Sequence, residues 1–320
     1  MAANLHLMAC SFYIQKIGDN KKTAIFLNEK VELSDGSVID DALELISRFI
    51  ASQGTVNVAR KMKILAYNTD NLRIVEREAY RYLWCSCRFG DYGSRSDIFN
   101  VKTEKIDYTQ KPEQAGMMDY YFCVVIPKDT GEKAQRGMIF YQNNGRRSIK
   151  STFEGYFRDY LNEEDMVLVV SNIAPTSYLL SLLENREMSR IDVIKHSTSS
   201  DKADGILGGI TSKREERSYI KPVMSGKFLQ GIKNIFTGAS NNISTFFELE
   251  DFNYDEIKVV FTGHSGNKTV NMNNPFDVEI TETLSKKLKL ADGTIDEEAL
   301  LAYVVDRIED YMDTYDITVH

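Results

Sequence analysis

Residues 119–161 leave few ways to fold. Residues 119–126 are an apolar run of strand length, and a polar turn follows. Gly137-Met-Ile-Phe-Tyr-Gln142 is a second such run. Asn143-Asn144-Gly145-Arg146-Arg147 then carries turn chemistry, and Ser151-Thr-Phe-Glu154 opens a helical pattern that lasts to Leu161. The stretch reads as strand, turn, strand, basic turn, capped helix. Two strands followed closely by a helix require a sheet with a helix packed on one face.

The flanking sequence extends that sheet. Residues 5–17, 23–27, 61–67, 74–89 and 98–106 alternate or run apolar as strands do, and 38–52 has helical spacing behind a Ser37 cap. Over 74–89, Leu83, Cys85, Cys87 and Phe89 share one side of a strand, and Tyr80, Tyr82, Trp84, Ser86 and Arg88 share the other. Past residue 164 the pattern is strand 166–170, helix 176–186 and strand 190–196, a spacing that favours parallel pairing. Residues 197–217 are polar and glycine-bearing and read as a loop. A helix at 225–236 and strands at 257–263, 269–272 and 276–282 follow. The last helix, 294–313, starts with a capping box, Thr294-Ile-Asp-Glu297. Leu33-Ser-Asp-Gly-Ser-Val-Ile-Asp-Asp-Ala-Leu43 matches Leu290-Ala-Asp-Gly-Thr-Ile-Asp-Glu-Glu-Ala-Leu300 without a gap. A shared rule, an Asp-Gly turn feeding a capped helix, explains that echo more simply than a duplication does.

The expectation is an α+β protein. A largely antiparallel sheet with packed helices occupies residues 1–163, and a smaller mixed α/β half occupies 164–320, closed by the amphipathic terminal helix. No apolar run reaches the ~20 residues that a membrane span needs, and residues 1–17 lack the basic start and cleavage site of a signal peptide. Cys10, Cys85, Cys87 and Cys123 sit in apolar strand-like runs, without the spacing of a zinc site, and suit buried thiols in the cytoplasm.

The net charge of −8 is local. Residues 291–320 hold nine acids and one base, which leaves 38 of each in the rest of the chain. A neutral body with basic patches does not repel nucleic acid as a uniformly anionic surface would. From Lys133 to Lys150 there are five bases (Lys133, Arg136, Arg146, Arg147, Lys150) and no acid, next to a helix start. Arginine forks, turn amides and a helix N-terminus together suit phosphate. Supporting contacts would come from Arg88, Tyr92 and Arg95, since arginines interleaved with exposed aromatics suit stacked bases. For Tyr80, Tyr82 and Trp84 the competing reading, core under a helix with the arginines paired to acids, is the stronger one.

No catalytic signature stands out. Asp251 with Glu256-Ile-Lys258 is the outline of a Mg²⁺-dependent nuclease, but charged residues at a strand start produce it often. His264-Ser265 lacks a nucleophile elbow, and Gly205 with Gly208-Gly209 lacks the Lys-Ser/Thr of a P-loop. No cofactor is expected outside the nuclease alternative. The acids of helix 294–313 offer a third reading, docking of a protein partner or self-association.

Tyr82-Leu-Trp-Cys-Ser-Cys-Arg-Phe-Gly-Asp-Tyr-Gly93, Tyr121-Phe-Cys-Val-Val-Ile-Pro127 and Gly137-Met-Ile-Phe-Tyr-Gln142, with Gly145 and Ile149-Lys150-Ser151, follow in a set order. Over about residues 75–165 the chain thereby resembles uncharacterised bacterial proteins that travel with abortive-infection and other phage-defence genes. That resemblance implies a cytoplasmic prokaryotic protein with a defence role and supplies no active-site residues. The expected function is a nucleic-acid-recognising or partner-sensing component of such a system, with DNA or RNA held at the basic turn.

Overall fold

The computed structural model describes residues 5–18, 22–53, 57–59, 62–128, 131, 133–145, 147–196, 214–223, 225–239, 254–263, 266–284, 288–290 and 292–312. In chain order, the first part contains β1 (Leu5–Ile17), β2 (Lys22–Ala24), β3 (Val31–Glu32), β4 (Val38–Ile39) and α1 (Ala42–Ser52). Then come β5 (Asn57–Ala59), β6 (Lys63–Glu76), β7 (Tyr80–Asp91), β8 (Ser96–Asn100), β9 (Lys105–Gln110), β10 (Gly116–Pro127), β11 (Gly137–Asn144), α2 (Lys150–Glu163) and β12 (Met166–Asn172). The remainder holds α3 (Thr176–Asn185), β13 (Glu187–Lys195), β14 (Glu215–Ile220), α4 (Gly226–Phe236), β15 (Glu256–Gly263), β16 (Gly266–Asn271), β17 (Thr281–Thr283) and α5 (Glu297–Met312). The α+β class expected from the sequence is what forms, with strand predominating.

Two compact units result, Met1–Ser171 with Thr281–His320, and Asn172–Ile280. The sequence reading placed one boundary at 163/164 and grouped the terminal helix with the second half. Packing and strand pairing place it otherwise. Strand β17 pairs with β1, and Tyr311 of α5 meets Phe140 edge-on with ring centroids 5.4 Å apart.

The first unit is built on a nine-stranded sheet ordered β12-β1-β11-β10-β7-β6-β5, with β2 and β17 also on β1. The β1–β11, β11–β10, β10–β7 and β7–β6 pairs are all antiparallel. Its central strands are buried on both faces, which is why 120–127 reads as an unbroken apolar run. One face carries Leu83, Cys85, Cys87, Phe122, Val124, Ile139 and Tyr141 against α1 and α2. Phe153 of α2 is the hub there, with Phe49, Tyr67, Phe122, Tyr141 and Phe157 ringed around it at centroid distances of 4.8–6.5 Å. The opposite face carries Tyr82, Trp84, Tyr121 and Phe140, covered by α5. Trp84 stacks on Tyr121 at 5.7 Å and donates its indole N–H to Glu297 Oε1 at 2.9 Å. The two-sided split read from residues 80–89 is therefore the one that forms, with those aromatics as core under a helix.

The cap of the first helix lies later than expected. Residues 38–39 pair with 31–32 as a small hairpin, because Ser37 closes an Asp-Gly turn through Leu33 N–H to Ser37 O at 2.9 Å. Asp41 caps α1 instead, accepting from Leu43 N at 2.9 Å and Glu44 N at 3.0 Å. The same turn recurs at the chain's echo, where Leu290 N–H donates to Thr294 O at 2.8 Å. Gly36 and Gly293 both take positive φ, at 80° and 89°. There too the cap moves on, from Thr294 to Asp296, whose Oδ1 accepts from Ala299 N at 3.0 Å.

Two strand expectations change. The 98–106 strand is a ribbon, β8 against β9, turning at 101–104. It continues the β7–β10 hairpin outward from the point where Gly90 lies against the Gly116 carbonyl too closely for any side chain. The strand–helix–strand unit does not make a parallel pair, because β12 joins the first sheet and β13 the second.

The second unit joins helices to a four-stranded antiparallel sheet, β14-β13-β15-β16. Ile191, Val193, Ile257, Val259 and Phe261 pack with Leu179, Leu182, Ile232, Ile235 and Phe236 of α3 and α4. The expected loop 197–217 ends in strand β14, and its residues 197–213 lie outside the described residues.

Asp41 is buried and also ion-pairs with Arg81. Burial pushes its carboxyl up, and the Leu43 and Glu44 amides and Arg81 pull it back. Asp41→Ala removes a helix cap and leaves the half-buried guanidinium unpaired. It should cost roughly 3 kcal/mol, seen as a lower urea midpoint.

Candidate nucleic-acid interface

The strand register decides which of the expected site residues meet. Arg136 precedes β11 and Arg147 follows it, so about eight residues of strand, roughly 25 Å, hold them at opposite ends of the sheet. The acid-free segment 133–150 is thus not one patch. Lys133 and Arg136 belong to the far end, where Lys133 pairs with Glu29 at 2.8 Å and Arg136 lies over the Tyr13 ring at 5.4 Å.

At the near end the antiparallel pairing gathers the rest. Arg88 of β7 sits opposite Asp119 of β10, and they pair at 3.2 Å. Arg147 reaches Asp91, the last residue of β7, at 3.8 Å. Asn144 and Arg147 exchange both backbone hydrogen bonds, and α2 begins three residues on at Lys150, whose charge bears on the buried Glu154 of the same helix. Tyr92 is anchored there by its N–H to Met62 O at 3.0 Å, and exposed Arg95 comes next in the chain. Arg146 lies outside the described residues. The N-cap residue of α2, Ile149, offers no side-chain cap, Ser148 Oγ accepts from Lys150 N at 3.2 Å, and the first turn holds no acid. Both ion pairs at this end are at least half exposed, Arg147 57% and Arg88 70%. Such pairs are worth only about 0–1 kcal/mol, so a phosphate can displace the carboxylates at little cost.

Tyr120 lies under this edge. Its hydroxyl is buried without a hydrogen-bond partner among the described residues, and burial raises its pKa while Arg147 lowers it. Nothing in the sequence marks this residue, because 120–127 reads as one unbroken apolar run.

A polar cleft on the α5 face adjoins the same end. One part, of about 560 Å³, is bounded by Asp70, Asn71, Arg73, Tyr121, Asp296 and Glu298 among others. A second, of about 370 Å³, reaches Asn68, Ser86, Arg88 and Asp119. Acids outnumber bases in this lining, which includes the Arg88–Asp119 pair, and this disfavours phosphate inside the cleft. The acids expected to dock a partner are partly occupied. Glu297 takes Trp84, Glu298 pairs with Arg73 at 3.0 Å, and Arg307 pairs with Asp306 at 2.8 Å and also with Asp310.

In the second unit, Glu256 and Lys258 share a strand face and pair at 3.1 Å. Glu256 also accepts from Asn271 Nδ2 at 2.6 Å, and His196 approaches it at 3.4 Å. Lys258 lies across from Asp192, whose carboxylate is held by Arg190 at 3.0 Å and Ser218 at 2.7 Å. Asp251, His264, Ser265 and the 205–209 glycines lie outside the described residues. Among the described residues no three His, Cys, Asp or Glu converge to hold a metal, and no helix is long and apolar enough to cross a membrane.

No protein-family model matches this chain, and no curated protein matches it.

The four cysteines are free and buried. Burial pushes the Cys85 thiol up to about 12, with Glu297 adding to the shift, and burial raises Cys87 and Cys123 further. All four should resist a thiol reagent at pH 8 in the native protein and react together on unfolding. Rapid labelling of the folded chain would contradict this packing.

Proposed function

We propose that this chain is a nucleic-acid-recognising component of a bacterial anti-phage defence system, acting in the cytoplasm. It would hold the phosphate backbone at the near end of the first unit's sheet. The observation that carries this reading is that Arg88, Arg95, Arg147 and Lys150 come from chain segments that begin or end toward this end of the sheet, with Arg88 and Arg147 held only in exposed ion pairs. Guanidiniums set on rigid strand ends bind phosphate with little ordering cost, and their contacts position rather than specify. Arg136 is not part of this surface. The defence role rests on the resemblance of residues 75–165, and free buried thiols fit a reducing compartment.

Binding should weaken steeply with salt. Arg147→Ala with Lys150→Ala should lower affinity about tenfold or more for every sequence, and reduce the slope of log K against log salt by about two. Arg136→Ala should leave both unchanged. Titration of a labelled oligonucleotide at several salt concentrations reads all three. A double variant that binds like the parent contradicts the proposal.

A further inference from the structure

The cleft beneath the start of α5 carries unmatched charge. Its two lobes share Asn71, Tyr121 and Glu297, and its lining belongs to the first unit throughout. Strand β6 supplies one side through a bulge. Asn68 pairs with Ser86 and Arg73 with Trp84, so residues 69–72 stand opposite Cys85 alone. That surplus chain brings Asp70 and Asn71 into the lining, as bulges do where a strand must re-aim its side chains.

Five carboxylates and two guanidiniums line the two lobes. Arg73 is taken by Glu298 at 3.0 Å, and Arg88 by Asp119 at 3.2 Å. Asp70, Asp296 and Glu297 are left without a cationic partner among the described residues. Glu297 holds only neutral donors, the Trp84 indole at 2.9 Å and the Asn71 amide at 3.5 Å. The helix dipole accounts for the acids at 296–298. It does not account for Asp70, which comes from another element, nor for Tyr121. Tyr121 is 8% exposed and lines both lobes, yet its hydroxyl makes no hydrogen bond among the described residues. Burial, with Glu297 and Asp119 adding, pushes that phenol up to about 12, so it stays neutral and keeps its oxygen as an acceptor. A mostly buried side chain that faces a cleft with an unused polar group points to a ligand.

We propose that this cleft binds a linear polyamine, an alkyl chain carrying two or more ammonium groups. Charge favours it first, because three uncompensated carboxylates in a partly enclosed site attract cations and repel anions. Hydrogen bonding favours it next. Carboxylates and the phenol oxygen accept, and an ammonium only donates. Shape completes the match. The lobes, of about 560 and 370 Å³, meet at Tyr121 and Glu297, with Asp70 and Asp296 in one and Asp119 in the other. A chain with a charge toward each end occupies both, and its methylenes cross the Tyr121 ring. A compact cation fills one lobe only. Among the described residues no three His, Cys, Asp or Glu converge to hold a metal. Arg88 and Asp119 also belong to the phosphate surface, but Asp70, Asp296 and Glu297 do not, so either reading can fail alone.

Trp84 is the chain's single tryptophan, stacked on Tyr121 and hydrogen-bonded to Glu297, so its emission reports on the cleft. Spermidine added to the full chain at low salt should change that emission saturably, with butylamine at least about tenfold weaker. Asp70→Asn with Asp296→Asn should weaken spermidine at least about tenfold, and Tyr121→Phe about fivefold. Asparagine caps a helix as aspartate does and residue 70 is exposed, so the double variant should keep the parent's circular dichroism and melting temperature. Parent-like affinity in both variants overturns the proposal. So does magnesium chloride producing the same change at equal ionic strength, which would mark simple screening or a metal. Butylamine binding as tightly as spermidine means that one ammonium suffices, and the polyamine assignment falls. Equilibrium dialysis of labelled spermidine that finds none bound overturns it whatever the emission does.

Discussion

The fold depends on a sheet whose central strands are buried on both faces. Tyr120 to Pro127 of β10 are buried without a break, as are Tyr82 to Cys87 of β7. Each such strand needs an apolar layer above and below, so helices must cover both sides. Helices α1 and α2 meet Leu83, Cys85 and Phe122, and α5 meets Trp84 and Phe140. The last helix therefore belongs to the first unit although it lies over a hundred residues away in sequence. Without it the Trp84 indole and the Tyr121 ring would face water. Burying a large side chain is worth about 1.5–3 kcal/mol, and this face carries several.

Where the strands end, the chemistry inverts. Carboxylates and guanidiniums alternate at the near edge, with Arg88 on Asp119 and Arg147 on Asp91. The pairs are exposed, weak and held on rigid strands, a combination suited to exchanging one anion for another. The cleft under α5 has the opposite bias, since acids dominate it. Charge is thus sorted by position within one unit although the chain outside its last thirty residues is neutral.

Much of the fold was legible in the sequence because local rules and burial agreed. The 119–161 segment folds as its turns and periods dictate, except that α2 opens at Lys150 behind Ile149, which offers no side-chain cap. So do the two faces of β7, where alternation assigned Leu83 and Trp84 to opposite sides. The departures have physical causes. Ser37 and Thr294 both sit in an Asp-Gly turn that consumes their expected capping role, so the caps fall to Asp41 and Asp296. The 164–196 pattern looked parallel because spacing cannot tell whether two strands share a sheet. The site was half legible. Composition found the basic segment, but the length of β11 separates Arg136 from Arg147, and only register shows that Arg88 and Asp91 join the latter. The ribbon was read as one strand because its turn, 101–104, contains neither glycine nor proline. Its tip is held by Asn100, whose side-chain oxygen accepts from Lys102 N at 3.0 Å and Thr103 N at 3.2 Å.

The most direct test of this account is hydrogen–deuterium exchange of the full chain with and without a saturating single-stranded oligonucleotide. Strand ends have the weakest native protection, so binding there changes exchange most. The account predicts slower exchange in peptides covering 88–95 and 145–152, and no change within 172–280. Protection confined to 172–280, or unchanged exchange throughout at saturating oligonucleotide, would contradict it.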